Sequence, residues 1–285
     1  MKQIEDIIRT RRSCRTYLPD PLKPGDRDAL EQYLAYGLPG PFGNEARMKL
    51  ITSGEGDADE LRGLGTYGFL KNAPAFLAGA VVDSRRALED YGYLMERMIL
   101  FATDRGLGTC WLGGTFTRSS FSARVGLRSG ETLPAVAAIG YMAERPRVRE
   151  RLLRRAAGSD GRKPWEELFF DETFGKPLTR EVEGRGAFPL AMIRLAPSAS
   201  NRQPWRIVRS GNRWHFYLAR SKGYRERNRS MFGIADMQRI DMGIAMYHFE
   251  AAARASALPG SWEEADPGIP LPDTLTEYLV TWREI

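Results

Sequence analysis

The sequence predicts an α+β chain made of two related halves that pack on each other about a pseudo-two-fold axis. Three observations predict it. Apolar residues recur at helical spacing from Leu88 to Arg105, while short apolar runs such as Phe76 to Val82 read as strands. The second half repeats the first: an offset of 151 pairs Asp90 with Asp241, Gly92 with Gly243, Met95 with Met246 and Trp111 with Trp262. An offset of 157 pairs Leu38 with Leu195, Asn44 with Asn201, Ser53 with Ser210 and Gly54 with Gly211. Third, the polar features are shared between the halves so that they add up to one set. A duplicated chain of this kind reproduces the symmetry of a homodimer within one polypeptide.

At 285 residues and 42% hydrophobic, the chain can bury a sizeable core. The boundary falls between a first repeat with a C-terminal arm, 1–174, and a shorter second repeat, 175–285. No apolar run approaches the roughly 20 residues of a membrane span, and the N-terminal residues lack the basic head and apolar core of a secretory signal. A cytoplasmic protein is expected. Two cysteines and two histidines, in no metal-binding spacing, argue against a disulfide framework or a metal site. His215 and His248 are expected to be structural, and Cys110 a packed thiol beside Trp111. The net charge of +6 is modest for a nucleic-acid binder, and the six arginines from Arg145 to Arg155 read as a solvated helix or arm.

In chain order, a short amphipathic helix from Ile4 to Ile8 runs into the basic cluster Arg9 to Tyr17. Guanidinium forks there suit phosphate oxygens, although a solvated basic turn has the same composition. A helix from Asp26 to Tyr36 follows, then an irregular stretch from Gly37 to Gly43, then strands at Met48 to Ile51 and Phe76 to Val82. Gly106 stops the long helix. Gly106 to Gly114 reads as a glycine turn around Trp111, able to bring backbone N–H groups close to a ligand, but it lacks the third glycine of a dinucleotide fingerprint. Leu133 to Tyr141 is a further strand. After an apolar segment ending at Leu195 comes Ala196 to Trp205, which places Ser198, Ser200, Asn201 and Gln203 between Pro197 and Pro204. That stretch is either a polar ligand loop or a tight turn of Ser and Asn. Strands beginning at Arg206 and at Trp214 follow it.

The halves retain different parts. Loop one, Pro39 to Arg47, lacks the serines and the Gln-Pro-Trp of loop two, and the turn Leu258 to Trp262 lacks most glycines of its counterpart. One composite site would join the arginines and glycines of the first half to the loop of the second, and its mirror image would be degenerate. The shortness of the second half points to trimmed strands or a trimmed active-site cover.

Arg11 to Tyr17, Gly106 to Gly114, Arg162 to Leu168 and Ala196 to Trp205 together resemble the four signature segments of the flavin-dependent nitroreductase family, here in a tandem, single-chain form. The resemblance implies a nitroreductase-like fold of two repeats, each a mainly antiparallel sheet flanked by helices, and FMN as cofactor. It makes Arg11 and Ser13, with Arg12 nearby, ligands of the FMN phosphate and ribityl chain, and sets Arg15 toward the pyrimidine edge of the ring. Pro197, Ser198, Ser200, Asn201 and Gln203 would contact ring and ribityl hydroxyls. Gly113 and Gly114 would line the ring near N5. Arg162, with Lys163 beside it, would close on the phosphate, with Arg145, Arg147 or Arg149 as alternatives in a longer and more basic insertion than the family shows.

The activity implied is an FMN-dependent NAD(P)H oxidoreductase that reduces a small electron-poor acceptor such as a nitroaromatic or quinone. No catalytic protein acid or base is assigned, because flavin carries the chemistry. A non-catalytic flavin- or nucleotide-binding protein is the alternative, and a relic that binds no flavin a third reading. The expected partners are NADH or NADPH and a small acceptor, with one FMN per chain.

Overall fold

The computed structural model describes the chain apart from residues 1–2, 38, 53–60, 62–63, 65, 67, 144–160, 180–183 and 225–233. The arginine-rich arm and the repeat positions Leu38, Ser53 and Gly54 lie outside the described residues.

Helix α1 (Ile4–Thr10) buries Ile7 and Ile8 and leaves Glu5 and Arg9 paired on its exposed side. The chain then runs extended. Cys14 donates its N–H to the Thr109 carbonyl (2.8 Å) and Tyr17 its own to Lys71 (3.0 Å), so the basic segment is tied down along its length. Helix α2 (Pro24–Ala35) starts at a proline whose fixed φ suits a first helical turn. It leads to β1 (Ala46–Thr52), β2 (Ala75–Val82), the long helix α3 (Ala87–Asp104), β3 (Gly108–Leu112), α4 (Arg118–Val125), β4 (Glu131–Thr132) and β5 (Val136–Gly140). The later elements are β6 (Phe169–Asp171), α5 (Ala187–Leu195), β7 (Trp205–Ser210), β8 (Arg213–Ala219), α6 (Met237–Ala255), β9 (Gly260–Glu263) and β10 (Thr276–Glu284).

The strands form two sheets, ordered β1-β2-β5-β3, with β4 beside β2, and β6-β7-β8-β10-β9. Setting β4 and β6 aside, the halves share one topology: a hairpin, a long helix, an edge strand, and a last strand inserted between hairpin and edge. All pairings are antiparallel except that of β6 with β7. Strand β6 precedes residue 174 yet belongs to the second sheet, so the arm of the first half adds a strand to the second.

Two expectations are corrected here. The strands of the second half are not trimmed, because all four counterparts are present; residues 264–275 instead join β9 to β10 where the first half carries α4 and β4. Gly106 to Gly114 is not a turn throughout, since Gly108 to Leu112 is an edge strand paired with β5. Gly108 serves close packing: a Cβ there would stand 2.4 Å from Met142 Cγ and 3.0 Å from Cys14 Cβ.

The two long helices meet through glycine. A Cβ on Gly92 would lie 2.1 Å from the Ile240 carbonyl oxygen, and one on Gly243 would lie 1.9 Å from that of Glu89. Gly92 and Gly243, like Glu89 and Ile240, are one repeat offset of 151 apart, so each contact is the image of the other under the pseudo-two-fold. Gly243→Ala is therefore expected to cost about 2 kcal/mol by overpacking, read as a lower urea midpoint.

Both cysteines are buried. His215 lies inside the second sheet with Nδ1 2.7 Å from Thr281 Oγ1, and burial lowers its pKa. His248 is buried between α3 and α5, with Nε2 3.0 Å from Glu96 Oε1 and Nδ1 3.1 Å from the Met192 carbonyl. Among the described residues there is no side-chain cluster able to hold a metal ion, and no helix long and apolar enough to cross a membrane.

Candidate functional site

A cavity of about 990 Å³ opens between the halves. One wall is the extended segment after α1, which brings Arg11, Arg12, Ser13 and Arg15 to it; Ser13 bridges Thr109 and thereby hangs on β3. The end of β3 contributes Trp111, with Gly113 and Gly114 just beyond. The opposite wall is Arg162 and the loop carrying Pro197, Ser198, Ser200 and Asn201. Residues up to 235 positions apart in sequence thus share one site, and the predicted set converges on it with two exceptions.

The first is Gln203. Its side chain is 3% exposed and does not line the cavity. Gln203 Oε1 accepts the Lys163 N–H (3.0 Å) and Nε2 donates to the Asn201 carbonyl (3.2 Å), so the carboxamide braces the loop against the segment around Arg162. Lys163 does not line the cavity either; burial, and the positive charge of Arg206, lower its pKa.

The loop is shaped by its own polar atoms. Ser198 Oγ accepts the Gln203 N–H (2.9 Å) and Asp241 Oδ1 accepts the Ala199 N–H (2.9 Å). Ser200, Asn201 and Gln203 adopt φ values of 50°, 51° and 49°, a left-handed conformation costly for residues with a Cβ. Three such residues in four positions mark a loop held in place by its surroundings, and such strain concentrates at ligand sites. Asn201 Nδ2 donates to the Gly161 carbonyl (2.7 Å), and Arg162 Nη1 donates to Asn201 Oδ1 (3.2 Å), joining the arm of the first half to the loop of the second.

The other walls are equally specific. Arg15 is 9% exposed and its guanidinium stands 4.9 Å above the Phe69 ring, a cation–π contact that fixes a buried charge at the cavity edge. Trp111 Nε1 donates to Glu96 Oε2 (2.7 Å), which sets the orientation of its ring. At Gly113 a Cβ would lie 2.7 Å from Met237 Cε, and at Gly114 2.3 Å from Ile234 Cδ1. Side-chain ends from the second half thus lie close against these two glycines of the first.

Sequence reasoning missed Phe69, Tyr224, Ile234 and Met237 as lining residues, and gave Trp111 and Asp241 no part in the site itself. For Asp241 a signal existed. It pairs with Asp90 under one repeat offset and holds loop two, just as Asp90 holds loop one, whose Asn44 pairs with Asn201 under the other.

The mirror position shows the contrast. Asp90 accepts from Phe42 N (3.0 Å), Asn44 N (2.8 Å) and Asn44 Nδ2 (2.9 Å). Loop one is drawn down so tightly that a Cβ on Gly40 would lie 2.3 Å from Asp90 Cγ.

Chemically, the cavity offers guanidinium groups, hydroxyls and a carboxamide, backbone at two glycines, and aromatic faces at Phe69, Trp111 and Tyr224. That inventory matches a flat, amphipathic, anionic ligand. No histidine or cysteine stands among the described lining residues.

The family model described as Putative TM nitroreductase matches residues 3–253. Among solved structures, a putative nitroreductase from Thermotoga maritima is 20% identical and aligns over 99% of this chain and 94% of its own, with a TM-score of 0.63. A nitroreductase with bound FMN from Bacteroides fragilis is 19% identical over 52% of this chain and 92% of its own, with a TM-score of 0.42. An FMN-dependent nitroreductase from Clostridium difficile is 21% identical over 50% of this chain and 88% of its own, with a TM-score of 0.41. Among curated proteins none matches the sequence.

Proposed function

Because the chain belongs to the Putative TM nitroreductase family, we propose that it is an FMN-dependent oxidoreductase of the cytoplasm, taking reducing equivalents from NADH or NADPH and passing two electrons to a small electron-poor acceptor such as a nitroaromatic or quinone. The observation that carries this reading is the composite cavity, with buried Arg15, half-buried Arg11 and Arg162 and exposed Arg12 from one half meeting a strained hydroxyl and carboxamide loop from the other. Its size lies at the upper end of the range for small-molecule sites, roughly 300–1,000 Å³.

The residues present fit the cofactor. Arg11, Arg12 and Arg162 form a cationic group suited to a phosphate monoester. Ser13, Ser198, Ser200 and Asn201 offer partners for a polyol, and Arg15 holds a fixed positive charge for the electron-accepting ring edge. Bound FMN would supply the hydride-accepting chemistry; the chain's residues bind it, orient it and keep the site electropositive. Neither a protein nucleophile nor a histidine acid is required.

One FMN per chain is expected, because loop one is folded onto Asp90 where a second site would lie. Titration of the purified chain with FMN, followed by flavin fluorescence, checks this; saturation at two per chain would overturn the single-site reading. Anaerobic addition of NADH or NADPH should then bleach the flavin absorbance. Flavin that binds but resists both reductants would leave a binding protein without the activity, and a chain that takes up no FMN would sink the proposal.

A further inference from the structure

Trp111 and Trp262 stand one repeat offset of 151 apart and are anchored alike. Trp111 Nε1 donates to Glu96 Oε2 at 2.7 Å, and Trp262 Nε1 donates to Glu250 Oε2 at 2.7 Å. Each glutamate lies on the long helix of its own half and is braced by a polar side chain from the long helix of the other. His248 Nε2 stands 3.0 Å from Glu96 Oε1, and Tyr93 Oη donates to Glu250 Oε2 at 2.8 Å. Glu96 and Glu250 are not images of each other under the offset, so one kind of anchor is built from two different helix positions. The rings differ in what they meet. Trp262 lies among Phe216, Phe249 and Trp282, with centroids 5.0, 6.1 and 5.0 Å away. No aromatic ring stacks on Trp111 among the described residues; it is half-buried and lines the cavity. Strand β3 sets that direction, because Cys110 and Leu112 pack into the core on one side and Trp111, between them, lies on the other.

We propose that Trp111 offers its ring as a stacking surface to the isoalloxazine ring of bound FMN, and that Glu96 and His248 are positioning residues that hold it there. The proposal rests on the FMN reading given above. An indole whose N–H is tied to a buried carboxyl has little freedom to turn, so its flat surface is in place before the ligand arrives and little rotamer entropy is lost on binding. Flat rings favour offset stacking, which such a surface permits. The anchor is rigid in its turn: Glu96 and His248 are both 0% exposed, and His248 Nδ1 is held 3.1 Å from the Met192 carbonyl. Since His248 belongs to the second half, a wall that the first half supplies is oriented by packing between the halves.

The test compares FMN binding by the full chain in wild type, in Glu96→Gln, and in the double variant Glu96→Leu with His248→Leu. The amide of Glu96→Gln keeps an acceptor for the indole and a donor for His248 Nε2. Its FMN dissociation constant is expected within about threefold of wild type. The double variant fills the core but leaves the indole unanchored, so its FMN dissociation constant is expected to rise about tenfold while its urea midpoint stays near that of wild type. A pair that served stability alone would leave affinity unchanged in that variant. The second readout is the proton–nitrogen NMR spectrum of the indole groups. The chain has six tryptophans, and the Trp111 resonance is the one missing from Trp111→Phe. It should move when FMN binds to wild type, and it should be displaced in the double variant before any ligand is added. A stable double variant that binds FMN as wild type does overturns the proposal, as does a tenfold loss of affinity in a stable Glu96→Gln. FMN binding that leaves the wild-type Trp111 resonance in place also overturns it, and that measurement decides the matter even if the double variant does not fold. Failure of wild type to bind FMN, with the indole resonance displaced in the double variant, instead overturns the cofactor reading and leaves the anchored indole standing.

Discussion

Replacing Asn201 with alanine is expected to raise the FMN dissociation constant about a hundredfold, equivalent to ~2.8 kcal/mol. The side chain does more than line the cavity. Asn201 Oδ1 accepts from Arg162 Nη1 (3.2 Å), so the carboxamide helps aim the cation proposed for the phosphate, and Nδ2 holds the Gly161 carbonyl at 2.7 Å. Alanine removes both links between the arm and the loop, together with the proposed contact to FMN, and hydrogen bonds to charged groups carry about 1.5–3 kcal/mol each. The repeat supplies the control. Asn44 occupies the matching place in loop one, where it bonds Asp90, the Arg85 carbonyl (3.1 Å) and Ser84 Oγ (2.5 Å). Asn44→Ala should lower stability by about 1–2 kcal/mol and leave flavin affinity unchanged. Equal effects of the two substitutions on FMN binding would mean that the site is not where the composite cavity lies.

His248→Ala is expected to destabilise the fold by about 4 kcal/mol, because it opens a cavity in the core and leaves a buried carboxyl short of a hydrogen-bond partner. His248 and Glu96 are both fully buried, and they join α6 to α3 across the interface between the halves. The Met192 carbonyl is an acceptor, so His248 Nδ1 carries a proton; a further single proton then lies between Nε2 and Glu96 Oε1 at 3.0 Å. Alanine leaves the Glu96 carboxyl in the core with the Trp111 indole as its remaining partner among the described bonds. Urea unfolding checks the size of the loss. The double variant Glu96→Leu with His248→Leu, which leaves neither polar partner behind, should recover most of it. A single variant within ~1 kcal/mol of wild type would show that the pair contributes little.

The sequence by itself determined that the chain is a duplication, which residues could bind an anion or a polar ring, and that these fall in complementary halves. Composition, spacing and self-similarity are local properties, and the arginines at 11, 12 and 15 or the polar loop at 198–201 show them without any partner. The structure decided what depends on pairing at a distance. Gly108 to Leu112 reads as a glycine turn in isolation, because its strand conformation is imposed by β5 and by the segment from Ser13 that lies against it. Gln203 looks like a ligand residue by its amide, but the Lys163 N–H, forty positions away, claims it. Asp90 and Asp241 are indistinguishable as letters one repeat apart. Only packing shows that loop one satisfies both oxygens of the first while loop two engages only one oxygen of the second, the other being buried without a partner among the described residues. The physical reason is the same in each case: a buried polar group is defined by the partners that three-dimensional contact brings to it, and those partners are seldom neighbours in the chain.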